Sequence, residues 1–237
     1  MRTQGRATPV LLPAVSADGT PAVLKLAGPG DAADREAAAL RAFDGRGAVR
    51  LLDYDPTAGA LLVERAVPGH TLAGVDEERA MSIGADVARK LAREPHGPFP
   101  TVEDWRSDFA RLGGLTPMAS EASAVLDRLL GSMSQTFLLH GDLHHFNILA
   151  NGDDWLAIDP KGLIGERECE IGPLVLNVVH EPDVVIRRIA QLSDELRLDR
   201  ERARAWTFVR AILGVLWAIE DGVEVPMLWL DCAKALR

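Results

Sequence analysis

His140-Gly141-Asp142-Leu143-His144-His145-Phe146-Asn147-Ile148-Leu149, followed at Ile158-Asp159-Pro160 by a second carboxylate, is the stretch on which the reading of this chain turns. Short apolar runs at residues 137–139, 148–150 and 155–158, with Gly152-Asp153 between the last two, predict strands flanking a tight polar loop. That loop carries an aspartate, an asparagine five residues later, and a further aspartate at the end of the next strand. A polar turn accounts for a lone His-x-Asp. Three polar positions in register with an apolar strand point to chemistry.

Phosphoryl transfer needs a group that orients the attacking hydroxyl and accepts its proton, together with oxygen ligands that hold Mg²⁺ on the phosphates. Kinase catalytic loops place Asp and Asn at this same five-residue offset, with a metal-binding Asp on a later strand–loop junction. On that template Asp142 is the catalytic carboxylate, and Asn147 and Asp159 are the metal ligands, both hard oxygen donors suited to Mg²⁺. The template also asks for a small-lobe lysine that pairs the phosphates and is held by a helix glutamate. Ala22-Val23-Leu24-Lys25-Leu26 puts Lys25 in a predicted strand, and Glu36 lies near the start of the next predicted helix. No phosphate-binding G-x-x-x-x-G-K-[ST] or G-x-G-x-x-G motif is present, and Gly28-Pro29-Gly30 and Gly45-Arg46-Gly47 read as turns.

Working outward, residues 11–15 and 22–26 flank an Asp-Gly turn and predict a hairpin. Residues 31–43 are alanine-rich, begin on an acid and run into glycines, which predicts one helix. Residues 49–54 and 60–65 predict a second hairpin, and Val67-Pro68-Gly69 breaks the pattern, so a lobe boundary is expected there. Beyond it the chain turns helical: Asp76 caps a helix with Met81, Ala85, Ala88 and Leu91 on one face, and apolar residues at helical spacing mark further helices at 125–133, 184–196 and 206–217. The expected architecture is α+β, with a β-rich lobe over residues 1–66 and a helical lobe over 67–237 that carries the polar loop.

The 237 residues, 47% hydrophobic and 26% charged, suffice for a sizeable core. A net charge of -9 repels phosphate backbones, which argues against a nucleic-acid partner. The longest apolar run, residues 211–219 between Arg210 and Glu220, is less than half of the ~20 residues a membrane span needs. Cys169 and Cys232 form no framework and no C-x-x-C, which fits a reduced cytoplasm.

The stretches at 18–25, 45–52, 140–145 and 157–162 resemble aminoglycoside phosphotransferases, in particular the streptomycin 6-kinase and hydroxyurea-resistance kinase branch. The resemblance runs from about residue 10 to the 206–222 helix. It implies a protein-kinase-like two-lobe fold, ATP with Mg²⁺ as donor, a small hydroxylated antibiotic as acceptor, and adenine against the lobe junction near Glu64 to Ala66. The family carries a further N-terminal strand and phosphate-covering loop, whereas residues 1–8 hold one glycine, Gly5. On that ground an unpaired edge at 11–15, blunted by Pro9 and Pro13, and weak ATP affinity are expected.

Two rival readings accompany this one. A metal-dependent hydrolase would draw on His140, Asp142, His144 and His145, but zinc sites need three or more converging ligands. A non-catalytic ligand-binding protein of kinase fold would follow from the shortened N-terminus. Glu166, Glu168, Glu170, Glu220, Asp221 and Glu224 either attract a cationic antibiotic or form a solvated acidic surface.

Overall fold

The computed structural model describes residues 9–225 and 227–237, so Gly5 and the rest of residues 1–8 lie outside the described residues. Strands β1 (Val10–Val15) and β2 (Pro21–Leu26) form the first hairpin, and Gly19 adopts φ +88° in its turn. Helix α1 (Asp31–Phe43) follows, with the bounds its composition predicts; Ala33, Ala37, Leu40 and Phe43 are buried, and the chain leaves it through left-handed Asp44. Strands β3 (Leu51–Asp55) and β4 (Ala60–Glu64) pair as the second hairpin. The four strands make one antiparallel sheet in the order β1-β2-β4-β3. Among the described residues β1 lies at its edge, with Leu11 60% and Val15 69% exposed.

The break at Val67-Pro68-Gly69 is not a plain turn. Residues Pro68–Thr71 form β5, which pairs with a strand beside the polar loop, so the segment ties the two halves of the chain together. Helix α2 (Glu77–Leu91) starts on Asp76, whose side chain accepts the Arg79 N–H, and buries Met81, Ala85 and Leu91. It stops short of Pro95, and Arg93 instead bridges to Leu138. Helices α3 (Trp105–Leu112) and α4 (Ala119–Gly131) lead to β6 (Phe137–Leu139), the polar loop, β7 (Ile148–Asn151) and β8 (Asp154–Ala157). β7 pairs with both β5 and β8, and β6 pairs with β9 (Leu163–Gly165).

The chain closes with α5 (Arg167–Glu170), α6 (Gly172–Leu176), α7 (Val184–Leu196), α8 (Arg200–Asp221) and α9 (Met227–Ala235). α8 is the spine of this half. Trp206, Val209, Ile212, Leu213 and Leu216 are buried in it, and Trp206 meets Trp105 edge to face at 6.0 Å. No helix among the described residues is long and apolar enough to cross a membrane.

Candidate active site

The two ends of β6 and β7 deliver the polar loop, and backbone bonds fix it from both sides. Gly141 takes φ +81°, a conformation that side chains avoid, and a Cβ there would stand 3.0 Å from that of Leu163. His140 is fully buried and acts as a strut. Its carbonyl accepts the Lys161 and Gly162 N–H groups, its Nε2 donates to the Ile158 carbonyl at 2.9 Å, and its Nδ1 accepts the Asp142 N–H at 3.2 Å. This pattern requires the neutral Nε2–H tautomer, and burial holds the imidazole down at about 4. With both ring nitrogens committed, His140 cannot serve as a zinc ligand, and no group of three His, Cys, Asp or Glu side chains among the described residues is placed to hold a metal. The hydrolase reading therefore loses its ligand cluster.

Asp142 presents its carboxylate from this frame. Its Oδ1 accepts from Arg210 Nη2 at 3.1 Å, and His144 Nε2 lies 3.7 Å from its Oδ2. Asn147 donates from Nδ2 to the Asp142 carbonyl at 3.0 Å, which leaves its amide oxygen without a partner among the described residues. The Ile158 N–H donates to the Asn147 carbonyl, so the loop and the strand that ends at Asp159 are stitched together. Asp159 sits at φ +63°, a strained setting for a non-glycine residue. Burial alone would raise its carboxyl, yet the Lys161 and Lys25 ammoniums hold it well below the usual carboxylate range.

Lys25 links this loop to the four-stranded sheet. Its Nζ donates to Glu36 Oε1 at 2.8 Å and Oε2 at 2.7 Å, and it also pairs with Asp159, while Lys161 reaches the other Asp159 oxygen at 2.8 Å. Burial would lower the Lys25 ammonium, but Glu36 and Asp159 push it up, so it stays charged. Lys25, Glu36, Asp142, Asn147 and Asp159 are thus brought together across 134 residues of sequence. Glu64 ends β4, and Ala66 lies in the link between β4 and β5. Glu64 accepts the Arg50 N–H through its side chain, and Ala66 is buried.

Two residues take parts in the site that the sequence does not disclose; Glu170, expected to attract a cation or to lie on a solvated acidic surface, is buried instead. Glu170, at the end of α5, accepts the backbone N–H groups of His140 at 2.6 Å and Gly141 at 3.2 Å. Burial pushes its carboxyl up to about 8 against the pull of those two donors. Arg210 is the other. It stands on the buried stripe of α8 with Trp206, Val209 and Leu213, and a charge on such a stripe is the signal the sequence offers.

A scan against family models matches residues 2–222 to the aminoglycoside/hydroxyurea antibiotic resistance kinases. The chain belongs to that family. Among its relatives, a hydroxyurea phosphotransferase of Kitasatospora aureofaciens is 40% identical over 97% of this chain and 72% of its own length. A streptomycin 6-kinase of Streptomyces glaucescens is 36% identical over 96% of this chain and 81% of its own. The choline kinase LicA of Streptococcus pneumoniae superposes with a TM-score of 0.70 at 13% identity, over 95% of this chain and 88% of that one, which shows a shared fold. The expected α+β, kinase-like architecture with a sheet-rich small lobe and a helical large lobe is therefore the observed one, and the chain is a member of a kinase family.

Proposed function

We propose that this kinase transfers the γ-phosphoryl group of ATP to a hydroxyl of a small-molecule antibiotic, of the kind named for its relatives, and so confers resistance. The observation that carries the reading is the Lys25 junction, where a sheet lysine bonded by Glu36 meets Asp159 next to the Asp142–Asn147 loop. In this reading Asp142 orients the acceptor hydroxyl and takes its proton. Lys25, steadied by Glu36, faces the ATP phosphates, and the adenine lies against the segment from Glu64 to Ala66. The division between the nucleotide lobe and the acceptor lobe then falls between residues 66 and 67.

Mg²⁺ fits the residues present. Asn147 offers a free amide oxygen and Asp159 an ionised carboxylate, a sparse oxygen set of the sort that Mg²⁺ shares with substrate phosphates and water. When bound it would supply charge neutralisation on the phosphates. The test is ADP release from the purified protein with Mg²⁺ and ATP, against a panel of aminoglycosides and hydroxyurea. Acceptor-dependent turnover that disappears on chelation is expected. Binding of an antibiotic with no transfer under any condition would favour a ligand-binding protein of kinase fold instead.

A further inference from the structure

We infer that Arg210 determines which acceptors this site takes: those whose reacting hydroxyl neighbours a carbonyl or similar accepting oxygen, with no positive charge on that side. The inference rests on the proposed phosphotransfer and adds the acceptor class to it. Arg210 is only 9% exposed and is held on three sides. Its stem packs on Gly172, where a Cβ would come within 3.2 Å of Arg210 Cγ, its guanidinium lies 4.9 Å over the Trp217 ring, and one nitrogen bonds Asp142 Oδ1.

The remaining donors are what point to a ligand. Arg210 Nε and Nη1 have no hydrogen-bond partner among the described residues, yet they are not sealed away as Arg93 Nε and Arg188 Nε are. They open beside the very carboxylate that would receive the acceptor proton. A planar guanidinium with two spare nitrogens, carrying three N–H groups, suits a carbonyl or an oxyanion, through charge-assisted hydrogen bonds. A cationic substituent at the same place would face a fixed positive charge in a weakly screened setting.

The acidic residues that would recruit a cation are turned elsewhere. Glu166 is bonded by Arg202 Nε and Trp206 Nε1, Glu168 accepts the Asp199 N–H, Glu170 accepts two loop N–H groups, and Glu220 pairs with Arg111. Asp221 and Glu224 remain exposed, but Asp221 is eleven residues, about 16 Å, further along the chain from Arg210. An N-hydroxy amide such as hydroxyurea meets the requirement, since its hydroxyl and its carbonyl are separated by a single nitrogen. Streptomycin, with guanidinium groups on the ring that carries its hydroxyls, does not. In the transfer, the acceptor oxygen forms a bond to the γ-phosphorus, the bridging bond to the β-phosphate breaks and ADP leaves, and the hydroxyl proton passes to Asp142.

Steady-state ADP release with hydroxyurea and with streptomycin, for the native protein, Arg210→Gln and Arg210→Lys, tests the assignment, alongside titration with a fluorescent ATP analogue. The native protein should prefer hydroxyurea by kcat/KM. In Arg210→Gln the KM for hydroxyurea should rise at least tenfold, kcat should change less, and the preference should shrink by a similar factor. Arg210→Lys keeps the charge without the fork and should show a smaller rise, which preserves the test if the glutamine variant does not fold. An equal fall of kcat for both acceptors would make Arg210 a mere positioner of Asp142 and overturn the inference. So would a native preference for streptomycin, or nucleotide binding with transfer to neither. Failure to bind the nucleotide at all would instead overturn the proposed function.

Discussion

Asp142 and Glu170 are two carboxylates on either side of one loop, and their surroundings give them different tasks. Asp142 is reachable, with Arg210 bonded to one oxygen and His144 3.7 Å from the other, whereas Glu170 is buried behind the loop and holds two of its N–H groups. Asp142→Asn keeps the shape and removes the proton acceptor, so kcat should fall about 10²- to 10⁴-fold with an unchanged melting temperature. A near-native kcat would remove Asp142 from its role. Glu170 makes a prediction in pH. Its carboxyl titrates near 4.5 when unfolded and about 8 in the fold, so between those values the folded protein holds the extra proton. The associated stability is complete below about 4.5 and is lost as pH rises through 8. The melting temperature of Glu170→Gln relative to the native protein should therefore climb by roughly 3 °C or more from pH 5 to pH 8. His140 and His145, both held near 4 by burial, act on the acid side in both proteins and cancel in the difference, while Asp142 and Arg210 face Glu170 in both. A flat difference across that range would mean that Glu170 is ionised throughout.

At the scale of elements, what the sequence disclosed followed from how local each signal was. Helix α1 and the two hairpins carry their instructions within a dozen residues, as alanine spacing or as turn chemistry, and they appear where those instructions put them. The polar loop was legible for the same reason, because Asp142, Asn147 and Asp159 lie within eighteen consecutive residues. Strand β5 was hidden by Pro68 and Gly69, whose local preference for a turn is overridden by pairing with β7. Arg210 reaches Asp142 over 68 residues of sequence and is one of 22 arginines, so nothing short of the tertiary packing singles it out. The same packing governs α8 against α9. A Cβ at Gly214 would fall 2.0 Å from the Trp229 ring, so Gly214→Ala should lower stability by about 1–3 kcal/mol in denaturant titrations. Gly131, in open space at the end of α4, should tolerate alanine or gain a few tenths of a kcal/mol. Equal effects at the two sites would mean that α9 is not packed on α8 as described.

For the whole molecule, the Lys25–Asp159 pair is a joint between the four-stranded sheet and the helical half. It works alongside the backbone bonds that run from Gly47 and Val49 to Ala157. Those backbone bonds do not depend on Lys25, so Lys25→Met should leave the halves assembled while removing the cation proposed to face the phosphates. With Mg²⁺ and ATP at a hundred times the dissociation constant, the native protein should gain about 2.7 kcal/mol of stability, read as a rise in melting temperature. Lys25→Met should show most of the native melting temperature without ligand and little of that rise at the same nucleotide concentration. A full nucleotide-induced rise in the variant would place the phosphates elsewhere.

The stack of Arg210 on Trp217 also makes the acceptor side of the molecule optically visible. Trp217 is one of five tryptophans, its indole N–H bonds Asp108 at 3.2 Å, and its ring lies 6.4 Å from that of Trp105. A guanidinium held against an indole alters its emission, and any ligand that draws on the free Arg210 donors will shift that contact. Adding hydroxyurea without nucleotide should therefore change the intrinsic fluorescence in a saturable way, and Trp217→Phe should abolish the change while the remaining tryptophans still report unfolding. The protein would then carry its own dye for acceptor binding, readable before any phosphate has moved.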